Sequence, residues 1–266
     1  MKKLLYLFLT VLIVACSGED GGNDGDNNQS SCNGDNPVYL ADNGVTIKAC
    51  EDANVGDTGV IDGVTYTVVD EAMLRYKVTF EEDVSKLATT KVTDMRELFY
   101  NDINFNQPIG NWDVSNVTDM SGMFKTAYNF NRPIGDWDTS SVTDMEGMFL
   151  QTTFNQPIGD WDTSSVTDMK RMFAVNRIFN QDIGLWDVRN VSDMEKLFYE
   201  TDNFNQDISS WDVSNVYRME RMFDDAISFN QNLSTWNVDN VTTCIDFSNG
   251  ASSWSLPQPN FTDCTP

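Results

Sequence analysis

The chain has no histidine among its 266 residues, and only five cysteines and seven prolines. Without an imidazole, Ser-His-Asp and Cys-His catalysis are closed to it, and so is the commonest zinc ligand. Cations are also scarce: 17 lysines and arginines face 41 aspartates and glutamates, a formal charge of −24. A field of that sign repels DNA, RNA and anionic lipid head groups, so nucleic acid is not an expected partner. Long apolar runs are missing too, apart from Leu4–Ala15, which is too short to span a bilayer comfortably.

What the chain does have is repetition. Phe105 to Phe124 reads FNQPIGNWDVSNVTDMSGMF, and copies of it run almost to the C-terminus, marked by Trp112, Trp137, Trp161, Trp186, Trp211 and Trp236 at steps of 24 or 25 residues. A fixed period of this length with constant apolar columns points to a solenoid, in which each coil covers its neighbours' apolar face. Trp112-Asp113-Val114 alternates apolar and polar residues, as a short strand does. Val117, Met120, Met123 and Phe124 fall at i, i+3, i+6 and i+7, one face of a short helix, with Thr118 as its N-cap and Asp119 in its first turn. The expected fold is therefore an α/β repeat solenoid with one short parallel strand and one short helix per coil. Within it the indole rings point inward.

Two polar columns accompany the apolar ones. Asn106, Asn131, Asn155, Asn180, Asn205 and Asn230 stand beside the leading phenylalanines. They are read as a structural ladder satisfying backbone groups at a tight turn. Asp113, Asp138, Asp162, Asp187 and Asp212 alternate with inward residues and are expected on the outer face as solvated charges. They lack the Gly-rich spacing of calcium repeats, so no metal site is expected. A glycoside hydrolase would need one singular pair of carboxylates, whereas these acids recur in columns and the tryptophans point inward. No catalytic residue and no cofactor are expected, and the chain is not read as an enzyme.

The flanks differ from the array. Residues 1–15 have a basic start and an apolar core, the pattern of a secretory signal peptide. They end in Ile13-Val14-Ala15-Cys16, which resembles the lipobox of bacterial lipoproteins and makes Cys16 the expected lipidation site. Residues 16–36, with their run of Gly, Asp, Asn and Ser, read as the lipidated cysteine and a flexible acidic tether; such an acidic stretch also resembles the surface-export signals of Bacteroidetes lipoproteins. Residues 37–90 read as a small β-rich N-terminal cap, with a hairpin turn at Asp62-Gly63 and Asp70 as N-cap of a short helix. The solenoid is assigned to residues 91–248 and a C-terminal cap to residues 249–266. Cys32 and Cys50 flank the first strands of the N-terminal cap. Cys244 stands in the methionine column, and a bridge to Cys264 would pin the tail over the last coil. Spacing leaves the connectivity open.

The repeat F-N-x-P-I-G-x-W-D-x-S-x-V-T-D-M-x-x-M-F is similar to that of the BspA-like leucine-rich-repeat surface proteins, a bacterial family rich in lipoproteins. The likeness runs from Lys91 to about Ser248, with departures at Asn237 and at Asp182, Asp207 and Asn232, where earlier coils have proline. It implies an LRR-like solenoid, held by its lipid at the outer membrane or cell surface and adhering to host or bacterial surface proteins. It carries over no catalytic residue. A monomer is expected. The competing reading is a structural envelope component or spacer without a specific ligand.

Overall fold

A computed structural model describes Cys32 and residues 36–266. The signal peptide, Cys16 and most of the acidic tether lie outside the described residues. Strands β1 (Val38–Leu40) and β2 (Ile47–Ala49) pair antiparallel. Strands β3 (Thr58–Ile61) and β4 (Val64–Asp70) form a hairpin whose turn residues, Asp62 and Gly63, both have positive φ, 50° and 78°. That matches the right-handed twist of the flanking strands. Helix α1 (Glu71–Thr79) follows at once, capped by Asp70, whose carboxylate accepts the Met73 N–H. Strand β5 (Leu87–Lys91) returns parallel to β4. Cys32 and Cys50 are joined by a disulfide, as are Cys244 and Cys264.

From residue 92 onward the architecture differs from the expected strand and helix per coil. Among the described residues this region contains neither an α-helix nor an extended strand. The coils do stack, but the parallel ladder runs through the V-T-D-M segment rather than through W-D-V. Its rungs are Asp94, Asp119, Asp144, Asp168, Asp193, Arg218 and Thr243. The segment read as helical is a chain of consecutive turns. In the first coil Leu98, Tyr100 and Asp102 donate to the carbonyls three residues back, of Met95, Glu97 and Phe99. The alternate N–H groups, of Met95, Glu97, Phe99 and Asn101, point sideways to Asp119, Ser121, Met123 and Lys125 of the next coil, at 2.9–3.0 Å.

That alternation requires backbone reversals. Positive φ recurs four residues apart in every coil, at Glu97 and Asn101, Gly122 and Thr126, Gly147 and Gln151, Arg171 and Val175, and onward. An α-helix needs negative φ throughout, so these positions exclude it. The i, i+3 spacing of apolar residues suits repeated three-residue turns as well as it suits a helix, which is why periodicity pointed to the wrong element.

Inside, the columns meet as continuous stacks. Trp137, Trp161 and Trp186 lie face to face at 6.4 Å, and Phe124 stacks on Phe130 at 3.9 Å and on Phe149 at 5.7 Å. Each indole N–H donates to a carbonyl of the coil before, as Trp137 does to Ile109 at 3.1 Å and Trp161 to Ile134 at 3.1 Å. The rings are thereby buried without an orphaned donor. One apolar core extends from Val69 to Phe247, and each fully buried aromatic or methionine contributes about 1.5–3 kcal/mol to it. The far end is closed by Trp254, edge-on to Phe229 at 4.7 Å, with Phe261 against Phe247.

Val175 is a β-branched residue at φ 60°, a region such side chains rarely enter. Asn101 holds the equivalent position at φ 61°. Val175→Asn is expected to stabilise the protein by about 0.5–1 kcal/mol through relief of that strain, read as a higher urea midpoint with an unchanged slope.

Candidate functional site on the ladder face

Stacking one coil on the next places chemically equivalent side chains about 4.8 Å apart along the outer face. The rung aspartates, Asp94, Asp119, Asp144, Asp168 and Asp193, therefore form a file of carboxylates. Each accepts from the N–H two residues on, at 2.8–2.9 Å, a local turn that fixes its aim. Like charges at this spacing repel, and cations offset the repulsion at both ends. Arg96 reaches Asp94 at 2.7 Å and Asp119 at 3.5 Å. Arg218, which replaces aspartate on the sixth rung, pairs with Asp193 at 3.1 Å, with Glu195 at 2.5 Å and with Glu220 at 3.2 Å.

Asp144 and Asp168, between these ends, make no ion pair among the described residues. Burial pushes the Asp144 carboxyl up, and the neighbouring Asp119 adds to it. Burial likewise raises Asp168 from 3.8 to about 6, with Asp193 and Asp144 adding repulsion. Glu195 shows the converse. Burial alone would raise it, but Lys170 at 3.2 Å and Arg171 at 2.9 Å hold it below the usual carboxylate range.

A groove of 390 Å³ opens on this face across the second and third rungs. Its floor is backbone, because the positive-φ position is Gly122 in one coil and Gly147 in the next, where other coils carry Glu97, Arg171, Lys196 and Arg221. Glu97, Asp119, Asp144 and Glu146 line the groove together with Arg96, Lys125, Leu150 and Arg171. A Cβ on Gly122 would lie 3.2 Å from the Glu97 side chain. The arrangement offers carboxylate acceptors in a row over an open floor, suited to an extended polar segment.

The residues singled out from sequence fall elsewhere. The asparagine column is a ladder: Oδ1 of Asn131 accepts the Asn155 N–H at 2.9 Å, Asn155 that of Asn180 at 2.9 Å, Asn180 that of Asn205 at 3.0 Å, and Asn205 that of Asn230 at 2.8 Å. Asn106 accepts from Asn131 at 3.2 Å, and Asn230 accepts from Ser255 and Leu256 of the C-terminal cap. Of the W-D aspartates, Asp138, Asp162 and Asp212 are exposed and Asp187 is half-buried. Asp113 is the exception, 2 % exposed, because β2 crosses the first coil where Ile47 bridges Trp112; Lys48 lies 3.6 Å from its carboxylate. No group of three or more Cys, Asp or Glu arranged to hold a metal occurs among the described residues. The rung aspartates were missed as a surface because they were read as helical first-turn residues. The positive-φ column would have exposed them had Gly122 and Gly147 not alternated with Arg, Lys and Glu elsewhere.

The departures from proline are explained here. Asp182, Asp207 and Asn232 accept the N–H of Gly184, Ser209 and Ser234 at 3.0–3.1 Å, so a side-chain turn does what the proline ring did.

Stacked coils with a common core and a patterned outer face define a repeat protein. The chain belongs to the family described as Mycoplasma protein of unknown function, DUF285, whose model matches residues 68–183 and again residues 151–261. The second match overlapping the first shows that the matched unit recurs along the chain. No curated protein and no solved structure matches it.

Asp168→Asn tests the carboxylate file. With a folded pKa of about 6 against an ordinary 3.8, the folded state binds the extra proton between those values. Stability therefore falls as pH rises from about 4 to 6 and stays reduced above it. At pH 7.5 the variant should be more stable by about 1 kcal/mol, after discounting for partial solvent exposure, and the difference should vanish near pH 4. Paired urea titrations at the two pH values measure this.

Proposed function

We propose that the chain is a lipid-anchored bacterial surface protein of the BspA-like leucine-rich-repeat type, an LRR-like solenoid that binds other proteins through its ladder face. Anchoring through Cys16 and a tether of small polar residues would hold the array at the outer membrane or cell surface. The observation that carries the binding reading is the groove over Gly122 and Gly147. The apolar columns barely vary from coil to coil, so a recognition element has to lie where coils differ, and here two adjacent coils give up a side chain on the same face. Protein-binding solenoids use extended repeated surfaces in this way. The partly desolvated Asp144 beside the groove and Asp168 on the next rung supply charge for a basic partner residue.

The test uses intact bacteria and the purified mature protein. A Cys16→Ser change is expected to release the protein from the membrane fraction and abolish labelling of intact cells by antibody. For binding, Gly122→Lys with Gly147→Lys fills the groove while keeping a backbone that Lys196 already adopts at φ 57°. Binding to a panel of matrix and bacterial-surface proteins should fall at least tenfold, with stability lowered by about 1–2 kcal/mol. Unchanged binding to every partner would favour a structural spacer.

A further inference from the structure

The N-terminal end of the stack differs from every later junction. Counting back 25 residues from the first full coil aligns Leu74 with Phe99, Phe80 with Phe105, Glu81 with Asn106, Val84 with Ile109 and Leu87 with Trp112. Leu74, Val84 and Leu87 are buried in the core, in register with their columns. Trp112 donates to the Val84 carbonyl at 3.0 Å, just as Trp137 does to Ile109. Helix α1 therefore stands in the place of a coil's turn segment.

Phe80 breaks the register. It is 63 % exposed and rests against Tyr76 at 4.6 Å, whereas Phe130 and Phe154 in the same column are fully buried. Beside it, between the end of α1 and the first coil, lies a cavity of 230 Å³. Val78, Val84, Phe99 and Phe105 form its apolar part and Glu81 and Asp102 its acidic rim, where Glu82 is paired with Lys77 at 2.8 Å. Tyr100 and Ile103, interleaved with lining residues, are exposed. Backbone groups are left over as well. The Asn106 N–H receives no acceptor among the described residues, although every later asparagine of the column receives one. A helix uses its N–H groups internally and cannot donate across to the next coil. Arg75 takes over the carbonyls of Asp94 and Arg96, and those of Leu98 and Tyr100 accept nothing among the described residues.

We propose that this edge is a second docking site, which takes an extended segment of a partner protein carrying an aromatic side chain flanked by lysine or arginine. The hollow, 230 Å³ and open to solvent on one side, has room for one aromatic side chain against Val78, Val84, Phe99 and Phe105. The Asn106 N–H, on a residue that lines the cavity, offers the segment a main-chain bond. Charge selects the occupant. A second copy carries −24, and the chain's own residues 17–31 contain Glu19, Asp20, Asp24 and Asp26, so the acidic rim repels both. A basic partner is attracted.

The probe is a fluorescein-labelled peptide, acetyl-Lys-Phe-Lys-Val-Lys-amide, titrated with the full mature protein and followed by anisotropy at low and at physiological salt. Measurable binding is expected, weakened at least tenfold when the peptide's phenylalanine is replaced by alanine. A tenfold loss is likewise expected with the protein variant Glu81→Gln/Asp102→Asn, which leaves the backbone unchanged. Phe80→Ala should change binding by less than about twofold, because Phe80 does not line the cavity. Equal binding of the alanine peptide, or of the neutralised variant, would reduce the effect to general attraction by an acidic protein and overturn the proposal. Absence of binding to the wild type together with binding to Phe80→Ala would overturn it too, by showing that Phe80 itself fills the cavity. The Gly122→Lys/Gly147→Lys protein should bind the peptide unchanged, so this site and the groove fail or stand separately.

Discussion

Everything in the array rests on a division of labour among backbone N–H groups. In the turn segment of each coil, alternate N–H groups close turns within the coil, and the intervening ones bond to the next coil. Neither a helix nor a strand can do both. A helix directs every N–H along its own axis, and a strand directs alternate groups to each side without closing turns. The reversals of φ that make the division possible are costly for residues other than glycine, about 1–2 kcal/mol each. The buried Met and Phe columns, together with the cross-coil bonds, offset that cost, and both exist only once a neighbour is present. No coil has a reason to hold this conformation alone.

The same constraint decides what was legible beforehand. The Trp, Phe and Met columns, the Asp62-Gly63 turn and the Asp70 cap could be read because each depends on local chemistry or on a simple period. The choice between helix and turn chain could not, because Val117, Met120, Met123 and Phe124 present one face in either case. The discriminating signal sits at residues such as Gly122 and Asn101, with φ of 61° in both. It is blurred where Arg171, Lys196 and Val175 accept the same backbone under pressure from the stack. With the helix replaced by a ladder, the aspartate of V-T-D-M moves from a helix terminus to a rung, and the charged face of the molecule moves with it. The W-D aspartates, by contrast, mostly keep the exposed position that alternation gave them, and Asp113 is buried only because a strand remote in sequence lies over it.

Electrostatics then follows from translation. A repeat cannot place a single carboxylate; it places a file of them, and the file has to be relieved where the sequence allows. Arg96 relieves one end and Arg218 the other, and around Glu195 three cations converge from adjacent coils. What remains is the middle of the face, where two half-buried aspartates make no ion pair among the described residues and two glycines remove the side chains beside them. These features coincide in neighbouring coils. For that reason the proposed protein-binding role is attached to this stretch rather than to the array as a whole.

Helix α1 shows the rule from its other side. The family match begins at residue 68, inside residues 37–90 expected as the N-terminal cap, and the columns of Leu74, Val84 and Leu87 explain why. This segment is itself a coil, one ahead of the coil that holds Leu98, and among the described residues no coil precedes it to donate to its carbonyls. Glu71–Thr79 satisfies its N–H groups internally instead of donating them to the next coil, and is the one α-helix among the described residues. The sequence period is the same as elsewhere; what differs is that no coil stands on its outer side, so its carbonyls accept from its own helix rather than from a neighbour. The secondary structure of a coil is thus set by its position in the stack. The mismatch between a self-contained helix and the expectant carbonyls of the next coil is what leaves Arg75 to cover part of that edge, and leaves the remainder open.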